Sequence, residues 1–389
     1  MTVLNPLRRN PRRLPLSLPC LALPKAGRQT GKQANRWQGR GGSIGAGLFL
    51  VFYIFILLLS AGTALAYIAI NEKGYNSILM EYISGAVAGD KDDFQDKVRL
   101  LRDFVHYNVH PVYGEKNRLD TVGIDKLVSG IGWCDQTSRV FMQLAKKQGI
   151  TTRLLFLLNE KGSSPHTVAE AWDGKRWILV DTIYAIDFYN KKGEPASLSD
   201  IREDFDIVTK NPRVKVLGQH NSWWGETENL TMYYRDPVEI VTKEGSKVRV
   251  LSYLPLAVKK FFVSALQELY IFKKSKSFTS RDGFLYFKAR SYHLVGRTKK
   301  AERIYREILE GDATPAIKTK TYFFMALLLK DEKKLNESVE VLSDLITQNG
   351  NNWILYAHGL RRRLYENLGE KEKAREDFYK IIGSPDAYF

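Results

Sequence analysis

The run GWCDQTSRVFMQLAKKQG at residues 132–149 places one cysteine at the head of an amphipathic helix. Val140, Phe141, Leu144 and Ala145 recur on one side of residues 135–148, which is a helical period, and Gly149 supplies the stop. Cys134 therefore stands at a helix N-terminus, among N–H groups that have no intrahelical acceptor and at the positive end of the helix dipole. That setting suits a thiolate, and the same N–H groups can receive an oxyanion. A lone cysteine can equally be a small buried hydrophobe, so position alone leaves both readings open.

Downstream lie three strand-like runs, 151–158 (TTRLLFLL), 166–172 (HTVAEAW) and 176–183 (RWILVDTI). Asp173-Gly174 between the last two signals a tight hairpin turn. A two-residue loop sets Trp172 opposite Lys175 and, further along the ladder, His166 opposite Asp181. Opposed residues share a face with Cβ atoms roughly 4.5–5.5 Å apart, close enough for a carboxylate to hold one imidazole nitrogen. The second nitrogen is then available to a thiol. A four-residue loop breaks that register. Upstream, Phe94, Val98, Leu101, Phe104 and Val105 give 92–109 a helical period, ended by His110-Pro111.

Taken together, GWCDQTSRVFMQLAKKQGITTRLL and HTVAEAWDGKRWILVDTI resemble the core of the transglutaminase-like superfamily. In that pattern a Cys opens a helix, a Gly precedes a strand, a His opens a strand and an Asp closes the next one. The resemblance covers roughly residues 92–185 and implies an α+β, papain-like fold. It implies Cys134 as nucleophile, His166 as general base and Asp181 as the acid that orients it, acting on amide bonds through a thioester. Water resolves the thioester in a hydrolase, an amine in a cross-linking acyltransferase; the resemblance to small bacterial relatives favours hydrolysis. A catalytically silent peptide-binding scaffold is the third reading. Trp133 is a candidate substrate contact, with a core role as its alternative. No cofactor or metal is implied. His106 and His110 have a metal-ligand spacing, but no glutamate base intervenes and no third ligand is evident.

The rest of the chain supplies the setting. Its 389 residues carry a net charge of +16, which on its own suggests nucleic acid. Nine of those positive charges fall in residues 1–43, which contain no acid, so a nucleic-acid role is not expected of the folded part. Residues 1–43, rich in Pro, Gly and Gln, read as a disordered basic tail that includes Cys20. Residues 44–70 contain no charge over 27 positions, long enough for a transmembrane helix. Ala64-Leu65-Ala66 offers a cleavage-site alternative. The charge asymmetry puts the tail in the cytoplasm and the remainder outside it, on the periplasmic side of the inner membrane for a bacterial chain.

Residues 71–220 form the expected catalytic domain and 221–280 a connecting region. In the latter, 256–271 is amphipathic, with Val258, Phe262, Leu266 and Leu269 on one side. It either packs or lies on a membrane surface. In 281–389, Ala289, Tyr292, Gly296, Ala301 and Tyr305 recur as Arg362, Tyr365, Gly369, Ala374 and Phe378. A degenerate copy runs through Ala326, Leu329, Ser338 and Leu342. This resembles an all-α tetratricopeptide-like array, which implies a concave surface for a protein partner.

Overall fold

The structure, a computed structural model, describes residues 52–53, 56, 72–112, 123–158, 164, 166–211, 238–244, 256–348 and 353–382. The chain divides into Met1–Leu59 and Ser60–Phe389. In the first unit Phe52, Tyr53 and Ile56 are helical and exposed. The expected tail at 1–43 and the rest of the expected span at 44–70 lie outside the described residues. Among the described residues no helix is long and apolar enough to cross a membrane.

The second unit begins with α1 (Glu72–Ala88), α2 (Phe94–Asn108), α3 (Ile124–Ser129) and α4 (Cys134–Lys147). Asp93 caps α2 by accepting from the Asp96 N–H at 2.8 Å. The α4 face expected from sequence is the buried one: Val140, Phe141, Leu144 and Ala145 are fully enclosed. Gly149 follows α4 with φ 75°, the left-handed conformation that lets the chain turn into the sheet.

The strands β1 (Thr151–Leu157), β2 (His166–Trp172) and β3 (Trp177–Val180) follow. After the short helices α5 (Leu198–Glu203) and α6 (Asp206–Thr209) comes β4 (Val238–Glu244). All pairings are antiparallel, in the order β3-β2-β1-β4. The sheet has two covered faces. Leu154, Ala169, Ala171 and Val180 join the helical core with α4. Leu155, Leu157, Val168 and Leu179 join a smaller core with Tyr184, Ile186, Phe188 and Leu198. β4 was not anticipated, because it stands between segments without a clear period and takes its place by pairing with β1.

The hairpin register differs from the expected one. Trp172 pairs with Trp177 and Ala169 with Val180, so the loop holds four residues, Asp173–Arg176. The Asp173 carboxylate accepts from the Lys175 and Arg176 N–H groups at 2.7 and 2.8 Å, and the Asp173 N–H donates to the Arg176 carbonyl at 3.1 Å. This Asx turn, with Gly174 at φ 103°, outcompetes the two-residue loop. The shift is by two residues, so every side chain keeps its face. His166 becomes a diagonal rather than a direct neighbour of Asp181.

The long helix α7 (Leu256–Ser275) packs against α1 and α8 (Arg281–Leu294). The side it buries only partly overlaps the one the sequence suggested, sharing Leu266 and half-buried Phe262. Val263, Leu266, Tyr270 and Ile271 are buried, whereas Val258 and Leu269 are exposed. The helix is apolar on nearly every side, and the stacking of Tyr270 on Tyr75, with ring centroids 4.0 Å apart, goes with this orientation.

The remaining helices, α9 (Thr298–Glu310), α10 (Pro315–Asp331), α11 (Leu335–Thr347), α12 (Ile354–Leu368) and α13 (Lys371–Ile382), complete three consecutive helical hairpins with α8. Ala289, Ala301, Tyr305 and Ala326 are fully buried where helices cross. Gly296 and Gly369 turn the first and third hairpins with φ 75° and 80°. The equivalent position in the second is Lys333, at φ 64°, which explains why that copy is faint in sequence. There Ser338 stands in for the crossing alanine and donates to the Ala326 carbonyl at 2.7 Å.

Candidate active site

Cys134 is the first residue of α4 and is half-buried, as is Trp133 before it. The Trp133 N–H donates to Gln136 Oε1 at 3.0 Å, and the helical ladder starts with the Thr137 N–H on the Trp133 carbonyl. By helix geometry the N–H groups of the first turn point out of the helix end toward the sulfur's surroundings.

His166 opens β2 and Asp181 follows the last residue of β3; both are buried. The imidazole Nε2–H donates to Asp181 Oδ2 at 2.8 Å. The Cys134 side chain lies close enough to the same ring to act on its charge, and with Nε2 on Asp181 the nitrogen left for it is Nδ1. Burial opposes a charge on this ring. The Asp181 carboxylate, by charge and by hydrogen bond, and the Cys134 sulfur outweigh it and push His166 up to about 10. The Tyr184 ring packs on the imidazole with centroids 5.2 Å apart. The sequence-predicted Cys134, His166 and Asp181 are thus brought together, with the sulfur the most exposed of the three.

Asp181 is itself fixed. Its second oxygen accepts from the Ile183 and Tyr184 N–H groups, both at 2.9 Å. The turn behind it is held from α2: His106 Nδ1–H donates to the Ile183 carbonyl at 2.8 Å, and Arg102 reaches the Ile186 carbonyl and the Asp187 carboxylate. Ala185 in this turn adopts φ 48°, an uncommon conformation for a residue with a side chain.

Two hydroxyl contacts staple the helix that carries Cys134 to the residues beside His166 and Asp181. Thr137 Oγ1 lies 2.8 Å from Thr182 Oγ1, next to Asp181, and donates to the Cys134 carbonyl at 3.0 Å. Ser138 Oγ donates to the Thr167 carbonyl, next to His166, at 3.3 Å. Sequence reasoning missed Thr137, Ser138 and Thr182, because buried hydroxyls leave no periodic trace.

The approach to Cys134 is held from the opposite side by His110. Its N–H donates to the Gly130 carbonyl at 2.9 Å, and its carbonyl accepts from the Gly132 N–H at 3.0 Å. The His110 ring sits among Phe323, Phe324, Trp353 and Tyr356 of the helical hairpins and the residue leading into α12. Desolvation there brings it down to about 3, so it is neutral at ordinary pH. Gly130 is required at this junction: it adopts φ 75°, and a Cβ would lie 2.4 Å from the Phe324 ring. The two histidines whose spacing resembles a metal pair thus have separate structural partners. Two cavities, of about 110 and 400 Å³, lie elsewhere, one beside Arg102 and Asp187 and one between Lys126, Tyr286 and Lys320.

A thiol at a helix head, a buried imidazole and a buried carboxylate on neighbouring strand ends define the papain-like class of thiol sites. Residues 81–182 match the core model of the transglutaminase-like superfamily, so this part of the chain is a transglutaminase-like domain, of a family that includes cysteine peptidases and acyltransferases. The match runs from within α1 to Thr182, one residue beyond Asp181, and does not reach the helical hairpins. No curated protein and no solved structure was found to match the chain.

Proposed function

We propose that the protein is a membrane-anchored thiol hydrolase that cleaves amide bonds in proteins or peptides through an acyl-enzyme on Cys134. One observation carries this reading: the Asp181–His166–Cys134 chain of contacts, with its acid and base sealed from water and its sulfur accessible. With His166 held up to about 10, the imidazolium prevails at neutral pH, and the reaction proceeds from the thiolate form of the sulfur beside it. The sulfur attacks the amide carbonyl, and the α4 N-terminus receives the oxyanion. The imidazolium then gives its proton to the departing amine as the C–N bond breaks, leaving a thioester. His166 next takes a proton from water, whose oxygen attacks the thioester and releases the acid, leaving the thiolate beside the imidazolium. Asp181 holds Nε2 throughout. Half-exposed Trp133 lies beside the acyl group as a substrate contact.

The uncharged run at 44–70 and the basic tail before it support a single anchor with the catalytic part outside the cytoplasm. The helical hairpins supply a surface for a protein partner or the substrate itself. Labelling by a thiol-reactive peptide analogue tests the reading. Wild type should be labelled at Cys134 and Cys134→Ala should not; equal turnover by the two would refute it. Capture of the acyl-enzyme from a membrane extract then identifies the substrate. Incorporation of a labelled amine into an acyl donor would assign transfer instead of hydrolysis.

A further inference from the structure

The outward side of α7 has a composition that solvent does not favour. Val258, Phe261, Leu269 and Phe272 are 46, 75, 44 and 69% exposed. With half-buried Ala265 they recur at three- and four-residue steps, which is one continuous stripe along the helix. The stripe lies opposite the side that buries Val263, Gln267 and Tyr270. Among the described residues of the second unit, exposed large apolar residues are otherwise scattered singly, at Tyr189 and Tyr379. Such a concentration on one helix marks a contact surface.

Charge and tethering identify what it contacts. Lys273, exposed and one turn beyond Leu269, borders the stripe near its C-terminal end. Lysine stems lie along apolar surface while their ammonium groups reach toward anionic headgroups. The one acid in the helix, Glu268, is already matched by Arg297 at 2.6 Å and Lys300 at 3.1 Å. In sequence, α1 starts at Glu72, two residues after the uncharged run ends at Ile70. Tyr75, in the first turn of α1, stacks on Tyr270 of α7. The helix that bears the stripe therefore packs on the helix that follows that run in sequence.

We propose that α7 lies flat on the bilayer, with Phe261 and Phe272 inserted at the boundary between headgroups and acyl chains and Lys273 toward anionic lipid. This inference rests on the anchor proposed above. It gives the catalytic domain a fixed orientation: a second lipid contact beside the anchor prevents the domain from tumbling on its tether.

The test uses the full chain carrying Cys20→Ser and Cys134→Ala, with Phe272→Cys or Phe261→Cys labelled by an environment-sensitive fluorophore. The chain is reconstituted in vesicles of phosphatidylcholine and phosphatidylglycerol containing nitroxide-labelled lipid. Both probes should shift to the blue and be quenched several-fold more than a probe at Glu372→Cys. Removing phosphatidylglycerol should weaken the effect. A chain that floats with the vesicles but whose α7 probes are quenched no more than the Glu372 control overturns the lipid contact, leaving a second copy or other protein as the cover. A chain that does not float overturns the anchor and the lipid contact together.

Discussion

At the scale of single residues the site is an electrostatic arrangement around one ring. His166 is held up to about 10, against an ordinary value near 6.5, because Asp181 and Cys134 outweigh its burial. The group's pKa is raised on folding, so its contribution to stability is complete below about pH 6.5 and is lost as pH rises toward 10. Asp181→Asn removes the cause. Denaturant titrations from pH 6 to 10 should show wild type losing stability across that window and the variant nearly flat and lower at its start. The alkaline limb of activity should move toward neutral in the same variant. Thr182 acts differently, through position. Thr182→Val keeps the shape but removes the hydroxyl facing Thr137. It should cost about 1 kcal/mol of stability. It should also slow alkylation of Cys134 about tenfold at unchanged His166 titration, since small misplacements near reacting atoms are costly.

At the scale of elements, legibility followed periodicity. The apolar faces of 92–109 and 135–148 named α2 and α4 nearly residue by residue, since both helices bury one side against a single core. The triad was legible because a cysteine at a helix head and a His–Asp pair flanking a turn each carry local signals. The route to the pair was not: the Asp173 side chain closes a four-residue loop, and only because the resulting slip is even do His166 and Asp181 stay on one face. β4 and the supporting hydroxyls depend on distant partners, so no local pattern announces them. The same applies to the choice of buried side on α7, where apolar residues surround the helix. In the repeats, the faint middle copy reflects a backbone requirement met by an ill-suited residue. Lys333→Gly should relieve the left-handed conformation and raise stability by about 1 kcal/mol, read as a higher melting temperature. Gly369→Ala, at the equivalent turn, should lower it.

At the scale of the whole molecule, the helical hairpins and the transglutaminase-like domain share one core. Arg290 of α8 reaches across to Asn108 Oδ1 at 3.0 Å and the Leu127 carbonyl at 2.7 Å. The Tyr286 hydroxyl donates to the Ser129 carbonyl, and that of Tyr356 to the Pro111 carbonyl. These bonds end on the two segments that converge on Gly132. Trp353→Ala, deep in the cluster around His110, should cost about 3–5 kcal/mol. Measured well below its lowered melting temperature, the variant should also alkylate more slowly at Cys134, through the loss of the ring that packs on His110. An unchanged rate would separate the cluster from the chemistry.

The seat of His110 has a mechanical meaning. Its ring is clasped by side chains of the C-terminal hairpins, while its backbone braces the two peptide units just before Trp133 and the sulfur. Any displacement of those hairpins against the sheet would thus be relayed, through one ring and two backbone hydrogen bonds, to the peptide units that lead into Cys134.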